Sequence, residues 1–111
     1  MELDLQYSVQ EFEEMLQQKP AVMVYFYQET CGVCKILFPK VKELVEDKFP
    51  QIELIVLEAE KNKELAAQLR MLAVPGILIY FDGKEFFRSN GLITLHELER
   101  KVERPYLLFF S

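Results

Sequence analysis

Cys31 and Cys34 are the only cysteines in the chain, and at three residues apart they can form, break and re-form a disulfide with each other. They lie in the stretch Tyr-Phe-Tyr-Gln-Glu-Thr-Cys-Gly-Val-Cys-Lys, residues 25–35. The elements that must position them flank this stretch. Ala21 to Tyr27 is an apolar run with almost no polarity, as a strand buried on both faces requires. Beyond the cysteines, Leu37, Phe38, Val41, Leu44, Val45 and Phe49 recur at three- and four-residue steps, the spacing of one helical face. Strand, turn and helix thus put both thiols at a helix N-terminus. Side chains three apart on a helix have Cβ atoms roughly 5–6 Å from each other, a modest adjustment away from disulfide geometry. The free backbone N–H groups and the positive dipole end there favour a thiolate.

Two other uses of a cysteine pair fit less well. As a structural staple it closes too short a loop to stabilise much, because the entropic gain grows with loop length. As a metal half-site it lacks partners: there is no further cysteine, and the single histidine, His96, is distant in sequence. A closed zinc site takes four ligands. Reversible thiol–disulfide exchange is what Cys-x-x-Cys beside a βαβ pattern predicts.

The 111 residues predict one domain, 1–111, large enough to bury a core unaided by metals. Half the residues are hydrophobic and nine are Phe, so that core is well supplied. No apolar run approaches the length of a membrane span, and the acidic start Met1-Glu2-Leu3-Asp4-Leu5 does not read as a signal peptide. One vicinal cysteine pair and an expected reducing environment point to the cytoplasm. A net charge of −5 without a basic cluster argues against nucleic acid as a partner. No cofactor and no metal are expected.

Taken in order, Leu3 and Leu5 alternate with acids and predict a short edge strand. Ser8 with Glu11 forms a capping box, Phe12, Met15 and Leu16 supply an apolar face, and Lys19-Pro20 ends that helix. After the strand and the cysteine turn, Pro39 lies inside the long helix and predicts a kink. Lys48-Phe49-Pro50 closes it, and Ile52 to Leu57 predicts a second buried strand. Lys61 to Leu72 reads as a helix with Leu65, Leu69 and Leu72 on one face. Glu53, Glu58, Glu60 and Glu64 read as solvated. Ile77 to Phe81 is a further strand, turned by Asp82-Gly83 into Glu85-Phe86-Phe87-Arg88. Gly91 ends that strand, Thr94 with Glu97 offers another cap, and Leu95, Leu98 and Val102 face inward. Pro105 should stop this last helix near Arg104. The reading is an α/β chain with a central mixed β-sheet and helices on both faces.

These features together resemble the thioredoxin family over nearly the whole chain. The Cys-x-x-Cys-Lys helix start, Pro39 five residues beyond Cys34, and Val74-Pro75, with Pro75 forty-four residues after Cys31, all keep the family's register. So do Asp82-Gly83 and Gly91 at eight-residue steps beyond. The resemblance implies the thioredoxin fold, Cys31 as exposed nucleophile and Cys34 as buried resolving thiol. It also implies a cis Pro75 against the pair, where Pro75 alone would read as an ordinary trans proline opening a strand. Thr30, Gly32, Val33, Val74, Pro75 and Gly91 would then form the substrate surface, with the Val74 backbone pairing with an extended substrate segment. The implied partners are disulfide-containing proteins and a reductase or small thiol as electron donor. The alternative is a redox-responsive binding module with little turnover.

The departures from the family are specific. Thr30 stands where thioredoxins carry Trp, Val33 where they carry Pro, and Gly76 where Thr usually follows the cis proline. Tyr25 replaces the buried Asp commonly assigned to the second proton transfer, and Val56 replaces its companion Lys. A phenol titrates near 10 and burial raises it further, so a sluggish resolving step is expected. The apolar tail Tyr106-Leu107-Leu108-Phe109-Phe110 is expected to bury Leu107 to Phe110 against its own fold or a partner, including a second copy in a homodimer.

Overall fold

The computed structural model describes residues 5–111. Its elements run α1 (Val9–Gln18), β1 (Ala21–Tyr27), α2 (Gly32–Lys48), β2 (Glu53–Glu58), a 3₁₀ turn (Ala59–Asn62), α3 (Lys63–Gln68), β3 (Gly76–Phe81), β4 (Lys84–Asn90) and α4 (Leu95–Phe109). The strands lie in the order β2-β1-β3-β4. β1 runs parallel to β2 and antiparallel to β3, and β3 pairs antiparallel with β4.

β1 is buried along its whole length, and its alternation divides the core in two. Ala21, Met23, Tyr25 and Tyr27 face the layer built by Phe38, Val41, Leu44 and Val45 of α2 and Leu98, Val102 and Tyr106 of α4. Val22, Val24 and Phe26 face Phe12, Met15 and Leu16 of α1 and Leu65 and Ala66 of α3. Helices cover both faces of a mixed sheet, as the element order implied, and this is the thioredoxin fold that the resemblance implied. The Ser8–Glu11 capping box forms with both reciprocal bonds, and Asp82 and Gly83 turn the β3–β4 hairpin at positive φ of 54° and 76°.

The structure corrects several local expectations. Leu3 falls outside the described residues, and Leu5 is in no strand. β2 is an outer strand rather than a doubly buried one, so Glu53 is exposed and Leu54 and Val56 only partly covered. The helix expected over Lys61 to Leu72 is split: a 3₁₀ turn precedes α3, and Arg70 reverses the chain at φ 59°. Leu72 therefore leaves the apolar face and is 87% exposed. Glu58 is buried, not solvated, because its carboxylate accepts the backbone N–H groups of Glu60 and Lys61 that open the 3₁₀ turn.

Pro105 does not end α4. Leu98, Val102 and Tyr106 continue one buried face at four-residue steps across it. The Tyr106 ring packs edge-on to Phe49 at 5.1 Å, and its hydroxyl accepts the Gln51 N–H at 3.2 Å. A mid-helix proline costs about 3 kcal/mol, which burial of such a ring and its hydrogen bond can offset. The carbonyl robbed of its donor belongs to Lys101, an exposed residue. The tail then buries less than expected. Phe110 is partly covered, but Leu107, Leu108 and Phe109 remain exposed within the chain.

Candidate functional site

Cys31 is the N-cap of α2, as the strand–turn–helix reading requires. Its own N–H donates to the Gln28 carbonyl at 2.9 Å, which turns the chain off β1. Its sulfur accepts the Cys34 N–H at 3.1 Å. One of the helix's free donors thus points where thiolate charge develops in the reduced protein, and no acid stands in the first turn to oppose it. The two cysteines form a disulfide in this structure, with Cα atoms 5.3 Å apart. They differ sharply in access: Cys31 is partly exposed, whereas Cys34 is fully buried against β1. Thr30, Gly32 and Val33 surround them on the exposed side.

Tyr25 occupies the place where the family resemblance implies an acid. It is fully buried, and its hydroxyl donates to the Cys34 carbonyl at 2.7 Å. Its ring lies 5.5 Å from that of Phe38. Burial pushes its phenol up to about 12, so it holds its proton throughout the neutral range. It ties the first turn of α2 to the sheet and exchanges no proton there. Glu29, just before the pair, bridges to Lys35 just after it at 3.1 Å. That lysine's hydrogen bond and charge hold the Glu29 carboxyl below its ordinary value. The buried Glu58 carboxylate also accepts the Glu29 N–H at 3.3 Å, which fastens this loop to the end of β2.

Val74–Pro75 is a cis peptide bond. Gly76 pairs with Phe26, so Pro75 stands at the end of the sheet where β1 delivers the cysteines. The Pro75 carbonyl accepts the Gly91 N–H at 2.9 Å, and Gly91 adopts a φ of 108° that favours glycine. Among the described residues, no hydrogen bond engages the Val74 backbone. Gly76 has a local reason to lack a side chain: a Cβ there would sit 2.6 Å from Met71 Cε and 3.1 Å from the Ala73 carbonyl. The site residues expected from sequence fall in residues 30–34 at the start of α2 and at Val74, Pro75 and Gly91, at the end of the sheet where β1 finishes. Sequence reasoning missed Glu29 and Glu58, whose partners are brought near only by the fold.

An oxidisable Cys-x-x-Cys capping a helix, on a sheet of this order, defines a thiol–disulfide oxidoreductase. The comparisons agree. The Thioredoxin family model matches residues 4–104, and the chain belongs to the thioredoxin family. It is 30% identical over 103 residues to the thioredoxin-like protein YdfQ of Bacillus subtilis, covering 93% of this chain and 91% of that one. It is also 30% identical to the chloroplastic thioredoxin Y of Oryza sativa, but spans only 55% of that protein's length. The X-ray structure of Fasciola hepatica thioredoxin superposes with a TM-score of 0.76 at 28% identity, covering 86% of this chain and 91% of that one. The thioredoxin family acts on disulfides with reductase partners, and this chain's function is thiol–disulfide exchange.

Proposed function

We propose that the chain reduces protein disulfides, with Cys31 as attacking thiolate and Cys34 as resolving thiol. The observation that carries this reading is the asymmetry of the pair: a partly exposed, helix-capping Cys31 beside a fully buried Cys34. The Cys31 thiolate attacks one sulfur of the substrate disulfide. A mixed disulfide forms, and the other substrate sulfur leaves as a thiolate that takes up a proton. Cys34 then loses its proton and attacks Cys31. The mixed disulfide breaks and the second substrate thiol is released. Two electrons have passed to the substrate, leaving the Cys31–Cys34 disulfide, which an external dithiol, small thiol or reductase must reduce again. Tyr25 keeps its proton near neutrality, so the Cys34 proton goes to water or to the leaving thiolate, and resolution is the slower step.

The open Val74 backbone supports pairing with an extended substrate segment at Thr30, Gly32, Val33, Val74, Pro75 and Gly91. The proposed compartment is the cytoplasm, consistent with a single redox pair. Insulin reduction with dithiothreitol as electron donor tests the reading: turnover that Cys31→Ser abolishes is the expected result. Reversible oxidation without turnover would favour the binding-module reading instead.

A second observation bears on partners. Phe81, Phe86, Arg104, Pro105, Leu108 and Phe109 line an open apolar groove of about 420 Å³. Phe86 and Leu108 are 58% and 66% exposed there. We propose self-association through this face, because contiguous exposed apolar surface marks contact sites. Sedimentation over a range of concentrations checks it; a monomer at every concentration excludes it.

A further inference from the structure

The segment from Leu69 to Pro75 links α3 to β3 and carries the Val74 backbone to the cysteine pair. It has left the helix at Leu69 and joins the sheet only at Gly76. Its start is closed by the Arg70 and Met71 N–H groups, which donate to the Ala67 and Ala66 carbonyls at 3.0 and 2.9 Å, and the rest is held from outside. β4, the outer strand beside β3, and Gly91 just beyond it supply three holds. The Arg88 guanidinium donates through Nη1 to the Leu69 carbonyl at 2.9 Å and, at 3.5 Å, to that of Arg70. The same nitrogen lies 3.9 Å from Met71 Sδ, the side chain seated over Gly76. Asn90 Oδ1 accepts the Leu72 N–H at 3.0 Å, and Gly91 donates to Pro75.

Arg88 is itself fixed. Nε and Nη2 donate to the two Glu85 carboxylate oxygens, each at 2.7 Å. Residues three apart on a regular strand point to opposite faces. Here the register shifts between Ile79 and Tyr80: Phe87 pairs with Ile79 and Glu85 with Tyr80, so Phe86 is the extra residue. That bulge brings Glu85 and Arg88 to one face, where the bidentate bond can form. Arg88 and Asn90, two apart beyond the bulge, share the face that meets the segment.

We propose that Arg88, assisted by Asn90, is a positioning residue for catalysis on protein substrates. By donating to the Leu69 and Arg70 carbonyls just beyond α3 it holds Val74 where an extended substrate segment can pair beside Cys31. This rests on the proposed strand-pairing role of Val74. A small disulfide has no chain to pair, so it needs the cysteines but not the clamp.

The test compares two substrates with Arg88→Ala, Arg88→Lys and Asn90→Ala. KM and kcat are measured for insulin with dithiothreitol, and the single-turnover rate of the pre-reduced protein is measured with the small aromatic disulfide dithiobis(nitrobenzoate). Arg88→Ala should raise the insulin KM roughly tenfold, with kcat and the small-disulfide rate changed by less than about twofold. Arg88→Lys should rescue only partly, since an ammonium lacks the planar fork that holds Glu85 and Leu69 together. Asn90→Ala should shift the insulin KM in the same direction by less, and it answers the question if Arg88→Ala does not fold. Equal losses on both substrates, or none on either, would overturn the inference. Failure of the unaltered protein on insulin, with a normal small-disulfide rate, would instead sink the protein-substrate reading, and the clamp's role with it.

Discussion

Helices α2 and α4 pack on the same face of the sheet, and each carries a proline in mid-course, Pro39 and Pro105. They differ in which end carries the exposed apolar residues: Val33 and Ile36 at the start of α2, Leu107, Leu108 and Phe109 at the end of α4. α2 presents its first turn to solvent, where the free N–H of Cys34 meets the Cys31 sulfur and Tyr25 anchors the turn from beneath. α4 is capped at its start by Thr94, while its last turn pins Tyr106 and leaves Leu107, Leu108 and Phe109 exposed. The difference teaches that a proline ends a helix only where no buried face continues beyond it. In both helices the apolar repeat runs on, through Val41 and Leu44 in α2 and through Tyr106 in α4, and both helices run on with it.

The largest effect should come from the chemical end of this comparison. Cys31→Ser is expected to lower insulin turnover by roughly a thousandfold or more. Cys34→Ala should leave the first attack intact and accumulate a mixed disulfide, visible as an adduct by mass spectrometry.

Below that lie the buried anchors. Tyr106→Ala should cost about 3–5 kcal/mol, read from denaturant unfolding, because it removes the contact that carries α4 past Pro105. Leu107→Ser with Leu108→Ser should change monomer stability by less than about 0.5 kcal/mol each. A large loss there would mean that the tail is buried in solution. Tyr25→Asp should cost roughly 3 kcal/mol or more at neutral pH by burying an unpaired carboxylate. Burial raises the folded-state pKa of such a group above the unfolded value near 3.9. The charge-burial part of the penalty should therefore vanish below that pH and grow as pH rises toward the raised value, on top of a pH-independent cost for the lost ring and hydrogen bond. The same variant should speed resolution of a trapped mixed disulfide roughly tenfold or more. Unchanged resolution in a folded variant would contradict the claim that a missing base limits turnover.

A small effect concerns the Glu85–Arg88 pair. Its bond to Arg88 lowers the Glu85 pKa from 4.5. A depressed carboxyl contributes stability above its unfolded pKa and loses it as pH falls through the folded one. Thermal scans should show Glu85→Gln less stable than the unaltered protein by under about 1 kcal/mol at neutral pH. The difference should vanish as pH drops well below 4.5.

How far the sequence is legible follows the same physics. Strand β1, the start of α2 and the β3–β4 hairpin announce themselves because one strong local signal dominates each: an unbroken apolar run, a helical repeat behind two cysteines, and Asp82-Gly83. Pro105 misled because the rule for proline is local whereas the anchor at Tyr106 comes from Phe49 and Gln51 on another element. Leu72 misled because periodicity runs through the reversal at Arg70 without registering it. The burial of Glu58 and the reach of Arg88 to Leu69 and Arg70 could not be read at all. Their partners are backbone groups brought near by the fold, and the bulge at Phe86 that aligns Arg88 with Glu85 has no signature in residue type.

The central claim is the division of labour between the two cysteines, and brief alkylation of the fully reduced protein with iodoacetamide at mildly acidic pH tests it most directly. Peptide mapping should find Cys31 labelled first and Cys34 largely protected, since Cys31 is partly exposed and its sulfur accepts a helix-start N–H, whereas Cys34 is fully buried. Preferential labelling of Cys34 would reverse the roles and contradict the account.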